Sequence, residues 1–518
     1  MSGRAVVLRS VLVASLCAFL FGFDTGTIGS ITTMKSFVEY FGQIDEVVRG
    51  LVVAIILLPS AISGIFAGAV ADKISRKYTI ALGSGIFALG SGLATASPPR
   101  LGVLFAARII AGFGEGLFLG TLTVYIAEIS PPHIRGKMML VCQLFISSAI
   151  ALGFFCCYGS VKIASSLAWR LPFAISTLVA ISVVLSSPFL PHSPRWLLLA
   201  GRRDEAEKVL DLLVGDSNPQ ERKELMSAGP PAVVSRRAAF LRIWKADVRR
   251  RTLLGIFLNV FQQLSGIDFV LFFAPLLFTQ AGLDPSTASF IASGVTGIVL
   301  VVVTVIGSTY IDKIGRRPLF LIGGSVVAAS QLILGIMYAS GANKGGGRWF
   351  IIILIELLAA SFSASWALVV RLYSSEIQPS RTRAAAASFS QASNQATNFV
   401  VAMTGPTFLT TVSGPYFTYG FLSLFAVVVA LFTMPETIGS SLEDIDSKFE
   451  SSKSATVVQL PEVLRRVVGR HNDSELRRRR SSRKESQTLP GETRAEFRAH
   501  MEHEMQRLGE IDEQAVVA

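Results

Sequence analysis

Asp24, Arg108 and Glu115 are ionisable residues set inside long apolar runs of a 518-residue chain. A charge at the middle of a hydrocarbon layer costs at least a few kcal/mol, so each needs a partner or a water-filled cavity. Asp24 follows Arg9 by about 15 residues, and Arg108 stands about seven residues into the run that starts at Leu101. At 1.5 Å of rise per helical residue, these offsets are roughly 22 Å from one face and 10 Å from the other of a layer about 30 Å thick. The two residues therefore meet at one depth. A carboxyl beside a movable guanidinium keeps or gives up its proton as the guanidinium withdraws or approaches. A permanent structural salt bridge is the other reading of the same pair. Glu115 falls seven residues beyond Arg108, on nearly the same helical face. There it competes for that Arg, relays protons, or pairs with a neighbouring helix.

A second set of charges is repeated along the chain. Asp312-Lys-Ile-Gly-Arg-Arg317 has a degraded copy 240 positions earlier, Asp72-Lys-Ile-Ser-Arg-Lys77. Glu128 precedes Arg135 by seven residues, as Glu376 precedes Arg383. Pro191-His-Ser-Pro-Arg195 closes the first half and Pro435-Glu-Thr437 the second. The chain is an internal duplication, a plan in which a solute path runs between two repeats.

The elements that must position these residues are apolar. Of all residues 51% are hydrophobic and 16% charged, and the mean hydropathy is +0.53, well above that of a soluble chain of this length. Twelve runs are long enough to cross a membrane as helices: 11–31, 50–71, 78–96, 101–126, 138–158, 171–190, 252–274, 288–310, 319–339, 349–373, 387–409 and 416–434. The first is longer than a signal-peptide core and carries Asp24, so it reads as a retained helix. Arg4, Arg9, Lys73, Arg76, Lys77, Arg135, Lys137, Lys313, Arg316, Arg317, Arg381 and Arg383 fall on one side, which the positive-inside rule makes cytoplasmic and common to both termini. Cys17, Cys142, Cys156 and Cys157 lie within the runs and read as packing residues, with no metal site expected.

The expected fold is an all-α membrane protein of twelve transmembrane helices in two six-helix repeats. Residues 1–190 and 252–446 form the halves, and 191–251 a cytoplasmic linker with short helices, including a charged stretch at 201–213. Residues 447–518 form a largely disordered basic tail that meets anionic lipid through Arg477 to Lys484. Ser481 or Ser482 is a sharper candidate there, as a phosphorylation switch. No nucleotide-binding or nucleophile motif is present, so no enzyme is expected; Gly323-Gly324 and Gly345-Gly-Gly347 lack phosphate-loop spacing.

Gln262-Gln-Leu-Ser-Gly-Ile-Asp268 resembles the seventh-helix signature of the sugar porter family of the major facilitator superfamily. So do Arg108-Ile-Ile-Ala-Gly-Phe-Gly114, Tyr125-Ile-Ala-Glu128, Pro191-His-Ser-Pro-Arg195, Ser375-Glu-Ile-Gln-Pro379, Arg381-Thr-Arg-Ala384 and Pro435-Glu-Thr437. The ordered set spans roughly residues 10 to 446, and its general look is that of fungal members. The resemblance implies the major facilitator fold and proton-coupled or facilitated movement of monosaccharides, polyols or similar small hydroxylated molecules. It implies no cofactor beyond the proton as coupling ion.

By the same resemblance, Asp24 and Arg108 match the family's proton-coupling pair. Gln143, Gln262, Gln263 and Asn394 match its substrate amides, which suit a hydroxyl because an amide both donates and accepts. Trp366 and Phe399 stand as apolar walls. Asp72, Arg76, Glu128, Arg135, Asp312, Arg316, Glu376 and Arg383 match a cytoplasmic gate between the halves, whose ion pairs are individually weak enough to open. The chain also departs from the family's usual residues. Asp268 replaces an Asn, Arg371 a Trp, Ser75 a Gly, His192 an acidic residue, and Glu115 a small or apolar one. Asp268 and Arg371 either bridge each other or leave Arg371 to bind a substrate carboxylate.

The expected function is therefore a proton symporter of a monosaccharide or polyol, acting as a monomer in the plasma membrane, with lipid and a small hydroxylated substrate as partners and no nucleic acid. An organic-acid symporter for a quinate-like or uronate-like anion is the alternative, motivated by Arg371. A transport-defective nutrient receptor is a third, motivated by the degraded Asp72 motif and the long basic tail.

Overall fold

A chain segment in lipid must satisfy its backbone N–H and C=O groups internally, so apolar runs of this length fold as helices. The computed structural model describes residues 3–214, 242–284, 288–342, 344–379 and 382–437, and among them every regular element is helical. The first half comprises α1 (Gly3–Thr33), α2 (Lys35–Phe41), α3 (Glu46–Ala54), α4 (Leu57–Ile74), α5 (Arg76–Thr95), α6 (Leu101–Ile129), α7 (Pro132–Ser160) and α8 (Leu167–Ser186). Two short helices follow, α9 (Pro194–Leu199) and α10 (Arg203–Val214). The second half comprises α11 (Ala246–Gln263), α12 (Ile267–Phe272), α13 (Ala274–Gln280), α14 (Ala288–Ile314), α15 (Arg316–Ala339), α16 (Gly347–Ala364), α17 (Trp366–Glu376), α18 (Arg383–Leu409) and α19 (Gly414–Thr433).

Eleven helical stretches among the described residues are long and apolar enough to cross a membrane, counting α3 with α4, α11 with α12, and α16 with α17 as one each. The twelfth is α18. At 27 residues it is long enough, but Gln391, Asn394, Gln395 and Asn398 make it more polar than the others. The charged stretch after the first half forms α10, which buries Ala206, Leu210 and Leu213; Ala206 packs with Trp196 and Leu197 of α9. The basic tail with Ser481 and Ser482 lies outside the described residues.

Three spans are broken at the level where the two halves face each other. Between α3 and α4 the helix loosens at Ile55 and Ile56. Between α11 and α12, Gly266 takes φ 72°, and a Cβ there would lie 2.5 Å from Tyr419 Cδ2, so only glycine fits. Ser365 interrupts the tenth span between α16 and α17. Broken helices expose backbone groups to a cavity, which is how such folds build solute sites.

The halves pack through α18 on α3 and α4, α14 on α7, and α12 on α1. Arg76, Lys77, Arg316 and Arg317 mark one end of the bundle, termed the basic end. Toward the opposite end, Gly29 meets the backbone carbonyl of Phe272 and Gly50 that of Met403, each a contact across the halves with no room for a side chain.

Candidate functional site: a buried ion pair and an amide cluster between the halves

The long apolar α1 and α6 bring Asp24 and Arg108 to one depth, and both are buried. Arg108 grips the carboxylate with two N–H groups, Nη1 to Oδ1 at 2.5 Å and Nη2 to Oδ2 at 3.2 Å. Its Nε donates to the Val52 carbonyl at 3.2 Å and its Nη2 to that of Val53 at 3.0 Å. Those carbonyls belong to the last turn of α3, where the break at Ile55 leaves acceptors without an intrahelical donor. The guanidinium thus satisfies a helix C-terminus and neutralises an acid together, which a smaller cation could not do in this geometry.

Glu115, two turns further along α6, does not touch Arg108. Gln395 of α18 donates to its Oε1 at 3.2 Å and to Ser60 Oγ at 3.1 Å. Of the roles considered for Glu115, competition for Arg108 is not seen, and the bond made is to the other half. Beside it Ser60, Gly64, Gly116, Leu119, Gln391 and Gln395 line a small recess between the halves.

Three of the four expected amides come together, and Asn394 is their hub. Its Nδ2 donates to Gln262 Oε1 and to the Asn259 carbonyl, both at 3.0 Å, and its Oδ1 accepts from Gln263 Nε2 at 3.0 Å. Gln262 Nε2 donates in turn to the Trp366 carbonyl at 2.9 Å. Gln143 stands apart on α7 in the first half, half-buried, with no hydrogen bond among the described residues.

The structure corrects two expectations. Trp366 offers no wall to a cavity: its ring is fully buried, stacks on Phe320 at 4.6 Å, and donates Nε1–H to the Phe320 carbonyl at 2.9 Å. The turn at Ser365 aims the ring into the second half and leaves only its carbonyl for the amides. Asp268 and Arg371 form no direct bridge; Asp268 Oδ2 instead accepts from Asn398 Nδ2 at 2.5 Å.

Asn398 and Gln395 were missed in the sequence. The signal was there: Gln391, Asn394, Gln395 and Asn398 recur at helical spacing and line one stripe of α18. Three of the cluster's buried amide oxygens, Gln263 Oε1, Gln395 Oε1 and Asn398 Oδ1, have no hydrogen-bond partner among the described residues. Buried acceptors are rarely left so, and a ligand hydroxyl is the donor that would complete them.

At the basic end, Arg76 pairs with Asp72 at 2.8 Å and with Glu128 at 3.0 Å, and Arg316 with Glu376 at 3.2 Å. These pairs lie within one half each. The side chains of Arg135, Asp312 and Arg383 lie outside the described residues. In the second half Glu436 caps α15, accepting the N–H groups of Arg316 at 3.0 Å and Arg317 at 3.1 Å. The first half has His192 instead, whose Nδ1 meets Ser75 Oγ at 2.9 Å.

Residues 10–449 match the family described as sugar (and other) transporter. The chain is 30% identical over 443 residues to the arabinose-proton symporter of Escherichia coli (strain K12), covering 84% of this chain and 92% of that protein. It is 31% identical over 472 residues to the probable polyol transporter 6 of Arabidopsis thaliana, covering 86% and 94%. Among solved structures it is similar to that of the proton:xylose symporter XylE bound to 6-bromo-6-deoxy-D-glucose, with a TM-score of 0.72 at 26% identity over 86% of this chain and 99% of that one.

Proposed function

The chain belongs to the sugar (and other) transporter family, and from that premise we propose that it carries a monosaccharide or polyol across a membrane together with a proton. Asp24 takes the proton, and Arg108 sets whether it stays. Here the guanidinium grips the carboxylate, and rocking of the halves that draws Arg108 away frees the carboxyl to take a proton. The substrate lies between the halves against Gln262, Gln263, Asn394 and Asn398. The observation that carries this reading is the set of three unpartnered amide oxygens on α11 and α18. Several acceptors fixed at short intervals suit a molecule with several hydroxyls.

The basic end faces the cytoplasm in this reading, by the positive-inside rule. The halves touch at the opposite end, so the arrangement described is the inward-facing one, with the charges of the gate paired within each half. In the outward-facing state Asp72, Arg76, Glu128, Arg135, Asp312, Arg316, Glu376 and Arg383 would close across the halves. The carrier works as a monomer in the plasma membrane. Uptake of labelled sugars, polyols and sugar acids by cells that lack their own carriers, with and without a protonophore, tests the proposal. Accumulation that collapses with the proton gradient supports it, and surface-expressed protein that moves none of them refutes it.

A further inference from the structure

Other interior arginines of this fold spend their guanidinium on carboxylates, carbonyls or a hydroxyl of the protein. Arg76 binds Asp72, Glu128 and the Ala71 carbonyl. Arg108 binds Asp24 and two carbonyls of α3. Arg170 donates to the carbonyls of Thr95 and Ser97 and to the hydroxyl of Tyr40. Arg371 differs. Its guanidinium makes neither an ion pair nor a hydrogen bond among the described residues. None of its nitrogen atoms is sealed away from open space. It lies on α17, which touches α7 of the first half as well as helices of the second, and Cys142 of α7 and Asp268 of α12 are near enough to act on it through the field. Asp268 makes no bond to it and accepts from Asn398.

We propose that Arg371 binds a carboxylate of the transported molecule, so that the substrate is a sugar acid, a polyhydroxylated monocarboxylate such as a uronate or an aldonate. This rests on the transport reading above and names its substrate class. The guanidinium fork matches a carboxylate with two parallel N–H···O bonds. The unpartnered oxygens of Gln263 and Asn398 accept from hydroxyls, and Asp268 accepts another. Charge then decides selectivity when the site closes. Around a neutral sugar, closure leaves the guanidinium with only the field of Asp268, which it does not touch, as water leaves; around a sugar acid it completes a direct, hydrogen-bonded ion pair. A monoanion accompanied by one proton also moves no net charge, whereas a neutral sugar with a proton moves one.

The full chain is expressed in cells lacking their own sugar carriers, and uptake of labelled D-galacturonate and D-gluconate is compared with that of D-galactose and D-glucitol. Surface amount is measured in parallel, as is thermal stabilisation of the purified protein by the same four compounds. The wild type is expected to take up at least one acid about tenfold faster than its neutral counterpart. Arg371→Gln should lower that ratio about tenfold or more, and Arg371→Lys should keep part of it. An Arg371→Gln protein that reaches the surface with an unchanged ratio overturns the proposal. If the wild type carries or is stabilised by neutral compounds and not acids, this inference fails and the transport reading stands. If none of the four is carried or stabilises the protein, both fail.

Discussion

Gln395 of α18 donates to Glu115 of α6 at 3.2 Å, so a carboxyl buried in one half is held by an amide from the other. Halves that rock about a central site cannot keep this bond in both of their states, which makes it a brace for the arrangement seen here. Replacing Gln395 by Ala leaves Glu115 short of a donor, a loss of about 1 to 3 kcal/mol felt only while the halves are so placed. The population should shift at least about fivefold toward the opposite-facing state. A cysteine placed at Met403, where α18 meets Gly50, reports this as faster labelling by a membrane-impermeant reagent. Equal labelling rates in both backgrounds would show that the bond is no brace.

Asn394 should matter more than any other amide. It holds Gln262 and Gln263 at once, so Asn394→Ala loosens two neighbours as well as removing its own groups. Apparent affinity is expected to fall about 5-fold to 150-fold, the range for one to several lost hydrogen bonds. Gln143→Ala, by contrast, breaks no hydrogen bond among the described residues. Concentration-dependent uptake at matched surface expression distinguishes them; equal affinity in Asn394→Ala and the wild type would place the substrate elsewhere.

Much of this was legible in the sequence. The repeated Asp72 and Asp312 motifs disclose the duplication, and residue counting alone brings Asp24 and Arg108 to one depth. The amides Gln262, Gln263 and Asn394 could be named because their motifs are local. What sequence could not give is where a side chain turns at a broken helix. Trp366 follows the interruption at Ser365, and its ring direction depends on that turn's dihedrals, which no periodicity encodes. Asp268 and Arg371 have opposite charge and act on each other through the field, yet Asn398, whose position on α18 depends on tertiary packing, takes the carboxylate.

Ser75 holds φ 97°, a backbone region nearly reserved for glycine, at the turn where the second repeat has Gly315 at φ 103°. Such a conformation costs a non-glycine residue about 1 to 3 kcal/mol, against about 1 kcal/mol for the hydrogen bond Ser75 makes with His192. Ser75→Gly should therefore raise the apparent melting temperature of the purified protein. A lower melting temperature would mean that the contact with His192 outweighs the strain.

His192 lies outside the spanning helices, with Ser75, Tyr78, Trp196, Lys77, Arg202 and Glu205 around it. Burial, then the nearby charges of Lys77 and Arg202, push its ring down to about 4. An unfolded histidine takes a proton below about pH 6.5, while the folded ring stays neutral, so the stability from this group is complete above that pH. It declines as pH falls from about 6.5 toward about 4. His192→Gln should flatten the drop in apparent melting temperature between about pH 7 and 5. An unaltered drop would exclude His192 as its source.

The claim that Asp24 couples the substrate to a proton is tested most directly by comparing accumulation with exchange in one variant. Asp24→Asn cannot take or release a proton, yet its amide can still occupy the space beside Arg108. The account predicts that wild-type accumulation rises as external pH falls from about 8 to 5 and collapses with a protonophore. The Asn variant should no longer accumulate substrate but should still exchange labelled for unlabelled molecules across the membrane. Accumulation by Asp24→Asn at the wild-type level, or wild-type uptake indifferent to both pH and protonophore, would contradict it.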